Sequence, residues 1–82
     1  MDRVSKILRE VAKEFDVPVN DLRGPSQAMH IVRPRQIAYL RLRDETNLSY
    51  PVIGRVMGDR HHTTVMHGIK AVTKRLQQGE RY

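Results

Sequence analysis

Apolar residues recur at helical spacing near the start of the chain. These positions are Val4, Ile7, Leu8, Val11, Ala12 and Phe15. Successive members are three, one, three, one and three residues apart, which is typical of a helix with one buried face. Asp2 is placed to cap the first turn, and Pro18 favours a stop because the residue before a proline avoids the α region. The pattern therefore predicts a first helix over residues 2–15.

The middle of the chain has a weaker pattern. Residues 20–23 could form one helical turn, which Gly24-Pro25 would close. Residues 26–32 are predicted to be a loop. Pro34 suits the first turn of a third helix, where its missing N–H costs nothing, and we expect this helix to run to about Thr46.

The predicted third helix lacks a clean apolar stripe. Its apolar positions are Ile37, Ala38, Leu40 and Leu42. Arg41 and Glu45 interrupt the expected spacing, but they are four residues apart and can pair weakly on a helix surface.

The second half of the chain has the layout of a helix-turn-helix over about residues 49–78. Ser49 is a good N-cap for a fourth helix that buries Ile53, Val56 and Met57, and Gly58-Asp59 supplies a turn. A fifth helix is expected to start near His62 and to end at Gly79. Its buried side would be Val65, Ile69, Val72 and Leu76, spaced four, three and four.

No segment shows the alternation of a strand, and no repeat or low-complexity tract is visible. The fold class predicted for residues 1–82 is a single all-α domain of five helical segments. The chain has no cysteine, which excludes disulfides and cysteine-ligated zinc. No apolar run approaches the length of a signal peptide core or a membrane span, so we expect a cytoplasmic protein that does not bind membranes.

The positive charge of the chain is unevenly distributed. The net charge is +6, yet the first 32 residues hold five basic and five acidic residues. The remaining 50 residues hold ten basic residues against four acidic ones. A cationic excess confined to the half that contains the helix-turn-helix is the expected footprint of phosphate binding.

The start of the fifth helix concentrates groups that can contact DNA bases. Threonine methyls can contact thymine methyls, and histidine and arginine can donate to purine N7 and O6. The candidates for base or phosphate contact in this segment are Arg60, His61, His62, Thr63, Thr64, His67 and Lys70. A metal site is disfavoured, because His62 and His67 are five residues apart, about 140° around a helix.

Two blocks of the sequence resemble the C-terminal DNA-binding domain of the bacterial replication initiator DnaA. One is Arg33-Pro34-Arg35-Gln36-Ile37-Ala38, similar to R-P-R-Q-x-A. The other begins Ser49-x-Pro51-x-Ile53-Gly54 and continues through Gly58 and Arg60 to the run from His62 to His67, similar to S-x-P-x-I-G and G-G-R-D-H-T-T-V-x-H. The resemblance covers residues 4 to about 76 and implies a helical module that binds double-stranded DNA.

The resemblance also implies roles for particular residues. His62, Thr63 and Thr64 fall where the family contacts bases in the major groove. The positions near the phosphate backbone are Arg33, Arg35, Gln36, Ser49 and Pro51. The chain has no G-x-x-x-x-G-K-[ST] loop, so a module of this length would be DnaA-like without the ATPase of the initiator.

The chain departs from the family pattern at three places. His61 stands where the family has Asp, and a protonated histidine cannot accept from cytosine N4 as a carboxylate can. Residues 24–30 contain no Arg or Lys, although the family loop is basic and places an Arg in the minor groove. Arg41 and Glu45 replace apolar family positions. The resemblance therefore does not fix the target sequence.

A second class of function remains open at this stage. A helical adaptor could use the same basic face to hold an acidic protein partner, and the neutral first helix could support self-association. Nothing indicates an enzyme, a cofactor or a small-molecule substrate, because no acid pair or nucleophile motif is present. Among DNA-binding roles, replication control and transcription regulation both fit.

Overall fold

The computed structural model describes residues 2–79 and contains five helices. They are α1 (Arg3–Phe15), α2 (Val19–Arg23), α3 (Met29–Thr46), α4 (Tyr50–Val56) and α5 (His62–Gln77). No strand occurs within residues 2–79. The predicted all-α fold of five helical segments is confirmed.

The helix starts predicted from polar caps are found where the sequence placed them. The Asp2 carboxylate accepts from the backbone N–H of Ser5 at 2.7 Å. The Ser49 hydroxyl accepts from the backbone N–H of Val52 at 3.4 Å. Each bond satisfies a donor that the first turn of a helix leaves without an intrahelical partner. Local polar chemistry thus fixes where α1 and α4 begin.

The helix α3 begins at Met29, five residues before the predicted start. The expectation of a loop over residues 26–32 is therefore wrong for its last four residues. The Ala28 carbonyl accepts from the backbone N–H groups of Ile31 and Val32 at 2.9 and 2.8 Å, so the turn before Pro34 is helical. Ile31 is only 2% exposed, and its burial offsets the usual bias against a helical residue before proline.

One hydrophobic core joins all five helices, with α3 packed against α1, α2 and α5. The largest fully buried side chains are Leu8, Val11, Leu22, Leu42, Ile53, Met57, Val65 and Val72. The predicted burial of Ile53 and Met57 of the helix-turn-helix, and of Leu8 and Val11 of α1, is confirmed. This core fixes α5 on the rest of the molecule.

The buried face of α5 differs from the prediction. It consists of Val65, Gly68 and Val72, whereas Ile69 is only half-buried and Leu76 is exposed. The reason is a close approach at Gly68, where an added Cβ would lie 2.6 Å from the ring of Tyr39. The helix therefore rotates Gly68 towards α3 and moves Ile69 and Leu76 to the rim.

The predicted pair of Arg41 and Glu45 is confirmed, with Nε to Oε2 at 2.6 Å. Arg41 also reaches the carboxylate of Glu10 on α1, at 2.7 Å. Hydrogen bonding from Arg41 lowers the pKa of Glu45 below its usual range. Two residues that interrupt the apolar pattern of α3 thus join this helix to α1 at the surface.

Candidate nucleic-acid interface

The turn between α4 and α5 is built on close backbone approaches. The backbone N–H of Arg60 donates to the Gly54 carbonyl at 2.8 Å. A Cβ at residue 54 would lie 2.0 Å from the Arg60 carbonyl, so only glycine fits. Gly58 has φ +85°, a conformation that favours glycine. These contacts hold α5 at a defined angle to α4, as a helix-turn-helix requires.

The N-terminal turn of α5 carries the predicted base-contacting residues on its surface. His61 is the N-cap, and helix geometry starts at His62, as expected. His62, Thr63 and Thr64 are all exposed, so their side chains are accessible to a ligand. The N-cap is His61 itself, because its Nδ1 accepts from the backbone N–H of Thr63 at 3.2 Å. Neither threonine is needed as the cap.

The outward face of α5 continues the same surface for three further turns. Thr63, Met66, His67, Lys70 and Lys74 are exposed and lie opposite the buried Val65, Gly68 and Val72. The segment 60–79 contains no acidic residue. A long surface of donors and cations without a carboxylate suits contact with a polyanion.

Two grooves flank this face and collect several of the predicted residues. The α3–α5 cleft, of about 260 Å³, is lined by Arg35, Gln36, Arg60, Thr64 and His67, among others. The α4–α5 groove, of about 630 Å³, is lined by Tyr50, Met66, His67, Lys70 and Lys74, among others. His67 borders both, so the two grooves meet along the outward face of α5. Ser49 and Pro51 are exposed on either side of Tyr50, at the start of α4.

The structure gives Arg35 an intramolecular role that does not support the expected phosphate contact. Its side chain is 3% exposed. Its guanidinium donates to the carbonyls of Leu22, Ser26, Asp21 and Gly24 at 2.8, 2.8, 2.9 and 3.0 Å. Burial lowers the pKa of Arg35, and the charge of Arg60 nearby lowers it further. Arg35 therefore holds the end of α2 and the following loop.

Arg60 has a similar intramolecular role. It donates to the carbonyls of Arg23, Met57 and Gly24. The last carbonyls of a helix have no intrahelical partner, and basic side chains can satisfy them. Arg35 and Arg60 together supply such donors to α2, and Arg60 also joins α2 to the helix-turn-helix turn through Met57.

Two further phosphate candidates, Arg33 and Gln36, lie on α3. Arg33 is exposed, directly before Pro34. Gln36 is half-buried, and its side-chain oxygen accepts from Arg75 of α5 at 3.1 Å. Gln36 is therefore oriented by a residue of α5.

Sequence reasoning missed Met66 and gave Lys74 no contact. Met66 is 43% exposed beside His67. Residues three and four apart share a helix face, so the series 63, 66, 67, 70 and 74 could have been found from spacing alone.

None of the helices within residues 2–79 is both long and apolar enough to cross a membrane. In the same part of the chain, His, Asp and Glu side chains form no group of three or more suited to a metal ion.

Comparison with known proteins agrees with this geometry. The family described as bacterial dnaA protein helix-turn-helix matches residues 4–72. The chromosomal replication initiator protein DnaA of Neisseria meningitidis serogroup C is 46% identical over 68 residues, which cover 83% of this chain and 13% of the relative. Those of Thermomicrobium roseum and Roseobacter denitrificans are 43% and 38% identical, over 90% and 94% of this chain and 16% and 17% of the relatives.

The chain thus spans less than a fifth of the length of these relatives. The matched part is the helix-turn-helix domain. Both the family match and the identities extend over most of the chain, so the resemblance in the two sequence blocks is confirmed. This chain belongs to the bacterial DnaA helix-turn-helix family, whose domain binds DNA in replication initiation.

Proposed function

We propose that this chain binds double-stranded DNA with sequence preference, by inserting the N-terminal turn of α5 into the major groove. The observation that carries the proposal is the outward face of α5. That face presents exposed donors, methyl groups and lysines without an acidic residue, on a helix fixed by the Gly54 contact. A recognition helix places its first residues on the base edges in this way.

The proposed roles follow from position along α5. His62, Thr63 and Thr64 contact base edges, and His67 contacts the groove one turn further along. Lys70 contacts phosphate, as does Arg33 from α3. Ser49, Pro51 and Gln36 lie next to the backbone of the DNA and position it. In the cell this binding would serve replication-initiation control or transcription regulation.

The phosphate assignment is tested by a pair of lysine variants. Lys70→Ala should lower affinity for all duplexes about equally. It should also reduce the magnitude of the salt slope, which is the slope of log K for binding against the logarithm of the salt concentration. The expected reduction is about 0.9, the value for one lost phosphate contact. Lys13→Ala is the matched control, because Lys13 is exposed on α1, which packs against α2 and α3. Fluorescence anisotropy over a salt series measures both. Equal salt slopes for the two variants would contradict the role of Lys70.

The base-reading assignment is tested by a pair of threonine variants. Thr64→Ala removes a methyl from the first turn of α5 and should relax a preference for thymine at one position. Thr73→Ala removes the same groups from an exposed site further along the same helix and should not. Selection of bound duplexes from a random pool gives both preferences. If the chain were instead a helical adaptor for acidic proteins, the unaltered chain and both variants would bind all duplex sequences with the same affinity.

A further inference from the structure

The N-cap of α5 constrains the chemistry of the residue closest to the expected base edges. The Nδ1 of His61 lies 3.2 Å from the backbone nitrogen of Thr63 and 2.8 Å from the Thr63 hydroxyl oxygen. The His61 backbone is extended, with φ −65° and ψ 147°, and its side chain is exposed. The ring centroids of His61 and His62 are 4.2 Å apart. Nδ1 is thus directed into the helix, and the opposite edge of the ring carries Nε2.

The cap bond determines which nitrogen of His61 is a donor. A backbone N–H can only donate, so Nδ1 must accept with its lone pair, and the proton of the neutral ring lies on Nε2. The Thr63 hydroxyl can rotate and donate to Nδ1 as well. A doubly protonated ring would lose the cap, but its Nε2 would still carry a proton. Nε2 is therefore a donor in both protonation states.

We propose that His61 is a specificity-determining residue that donates from Nε2 to an acceptor in the major groove and selects against an exocyclic amino group at that point. The acceptors available there without an adjacent amino group are guanine O6 and N7 and thymine O4, whereas adenine carries its N6 amino group beside N7. This inference rests on the proposed insertion of α5 into the groove. It adds that the target DNA presents a hydrogen-bond acceptor, and not a donor, at one position.

A carboxylate at residue 61 would have the opposite sense. One oxygen of an aspartate can accept from the Thr63 N–H while the other accepts from cytosine N4 or adenine N6. A capping histidine has one acceptor nitrogen, and the helix uses it. Accepting from a base amino group would require the proton to move to Nδ1, which removes the cap bond. Capping and amino-group recognition therefore exclude each other at His61.

Two variants whose side chains are isosteric with each other, Asn and Asp, separate the effect of donating or accepting a hydrogen bond from the effect of shape. His61→Asn keeps a capping oxygen and presents an amide N–H₂ as an outward donor, whereas His61→Asp presents an outward acceptor. Both residues are good N-caps, so helix content and melting temperature should stay close to those of the unaltered chain. Selection of bound duplexes at fixed salt should give the unaltered chain and His61→Asn the same acceptor base at one position. His61→Asp should change that base to cytosine or adenine, with a discrimination of about fivefold, as for a single base contact.

Each result has a defined meaning. One shared base preference for all three proteins, with salt-dependent binding intact, would overturn the role of His61 and leave the proposed DNA binding standing. His61→Asn behaving as His61→Asp would also overturn it, because donor sense would then not matter. Absence of duplex binding by the unaltered chain would overturn both proposals together.

Nitrogen NMR of the free protein gives a readout that does not depend on DNA. The ¹⁵N shifts of His61 distinguish the two tautomers, and we expect an unprotonated Nδ1 and a protonated Nε2 at a pH where the ring is neutral. Thr63→Pro, which removes the N–H donor at the second position of the helix, should relax this preference. A proton on Nδ1 of His61 in the unaltered chain would contradict the inference directly.

Discussion

Replacing Arg35 by alanine should destabilise the fold without changing the number of phosphate contacts. The side chain is buried, and its guanidinium donates to four backbone carbonyls of residues 21–26. In Arg35→Ala these carbonyls lose their donors at the end of α2. Water can reach three of them in part, whereas the Leu22 carbonyl lies at a buried bond.

The magnitude follows from those four bonds. A hydrogen bond from a charged donor contributes about 1.5–3 kcal/mol when its loss leaves a buried acceptor. The bond to Leu22 should contribute within that range, and the three part-buried bonds should contribute less because water replaces the donor. We expect a total loss of about 2–4 kcal/mol. A protein of this size has a free energy of unfolding of about 4–12 kcal/mol, so the effect is large.

Urea unfolding followed by circular dichroism measures the loss. Arg33→Ala is the matched control, since Arg33 is exposed two residues away on the same helix and should change stability by no more than about 0.5 kcal/mol. Arg35→Lys keeps the charge but not the planar fork, and should be intermediate.

The salt slope of DNA binding gives the second measurement. Arg35→Lys should leave this slope unchanged, whereas Arg33→Ala should reduce its magnitude by about 0.9. An unaltered unfolding midpoint for Arg35→Ala, together with a reduced salt slope, would refute the assignment of Arg35 to the fold.

Three further outcomes are expected. Gly68→Ala should cost about 1–3 kcal/mol in thermal or urea unfolding, because its Cβ would meet the buried ring of Tyr39 and overpacking outweighs the better helix propensity of alanine. Glu45→Gln should cost about 0.3–0.5 kcal/mol at neutral pH. The bond from Arg41 lowers the folded-state pKa of Glu45, so this difference should disappear as the pH falls through that pKa. The salt slope of the unaltered chain should be about −3 to −4, at about −0.9 for each phosphate contact. That range counts the two proposed phosphate contacts, Arg33 and Lys70, together with the two other exposed cations of α3, α4 and α5 within residues 2–79, Arg55 and Lys74. A slope near −9 would contradict it.

The parts of the fold that depend on neighbouring residues were predictable from sequence. Asp2 and Ser49 cap the helices that follow them, and α5 starts at His62. These starts can be read from the sequence because an N-cap side chain contacts a backbone N–H only two or three residues further along the chain. The start of α3 was not predictable in this way. Ile31 is buried by residues distant in sequence, and this tertiary burial extends the helix through the turn before Pro34.

In the candidate site, too, some features were predictable from local sequence and others depend on contacts between distant residues. The exposure of His62, Thr63 and Thr64 follows from their place in the first turn of an amphipathic helix, and the structure agrees. The rotation of α5 depends on the contact between Gly68 and Tyr39, which are 29 positions apart in the chain. Without that contact, spacing alone placed Ile69 and Leu76 in the core and did not identify Met66 as exposed.

The arginines show why charge excess overestimates the number of phosphate contacts. Arg33 and Arg35 are alike in a sequence motif, but Arg33 is exposed, whereas Arg35 is buried and donates to the terminal carbonyls of α2. Arg60 donates to the same region, and Arg41 is paired with two carboxylates. Arg43 donates to the Leu48 carbonyl and lies over the Tyr50 ring. These groups still attract DNA at long range, because a hydrogen bond to a carbonyl does not cancel a charge. A donor that is used within the fold cannot also contact phosphate, so these arginines offer fewer donors for the direct contacts that release counterions. Net charge therefore sets the long-range attraction to DNA, and intramolecular partners determine how many of the charged groups contact phosphate directly.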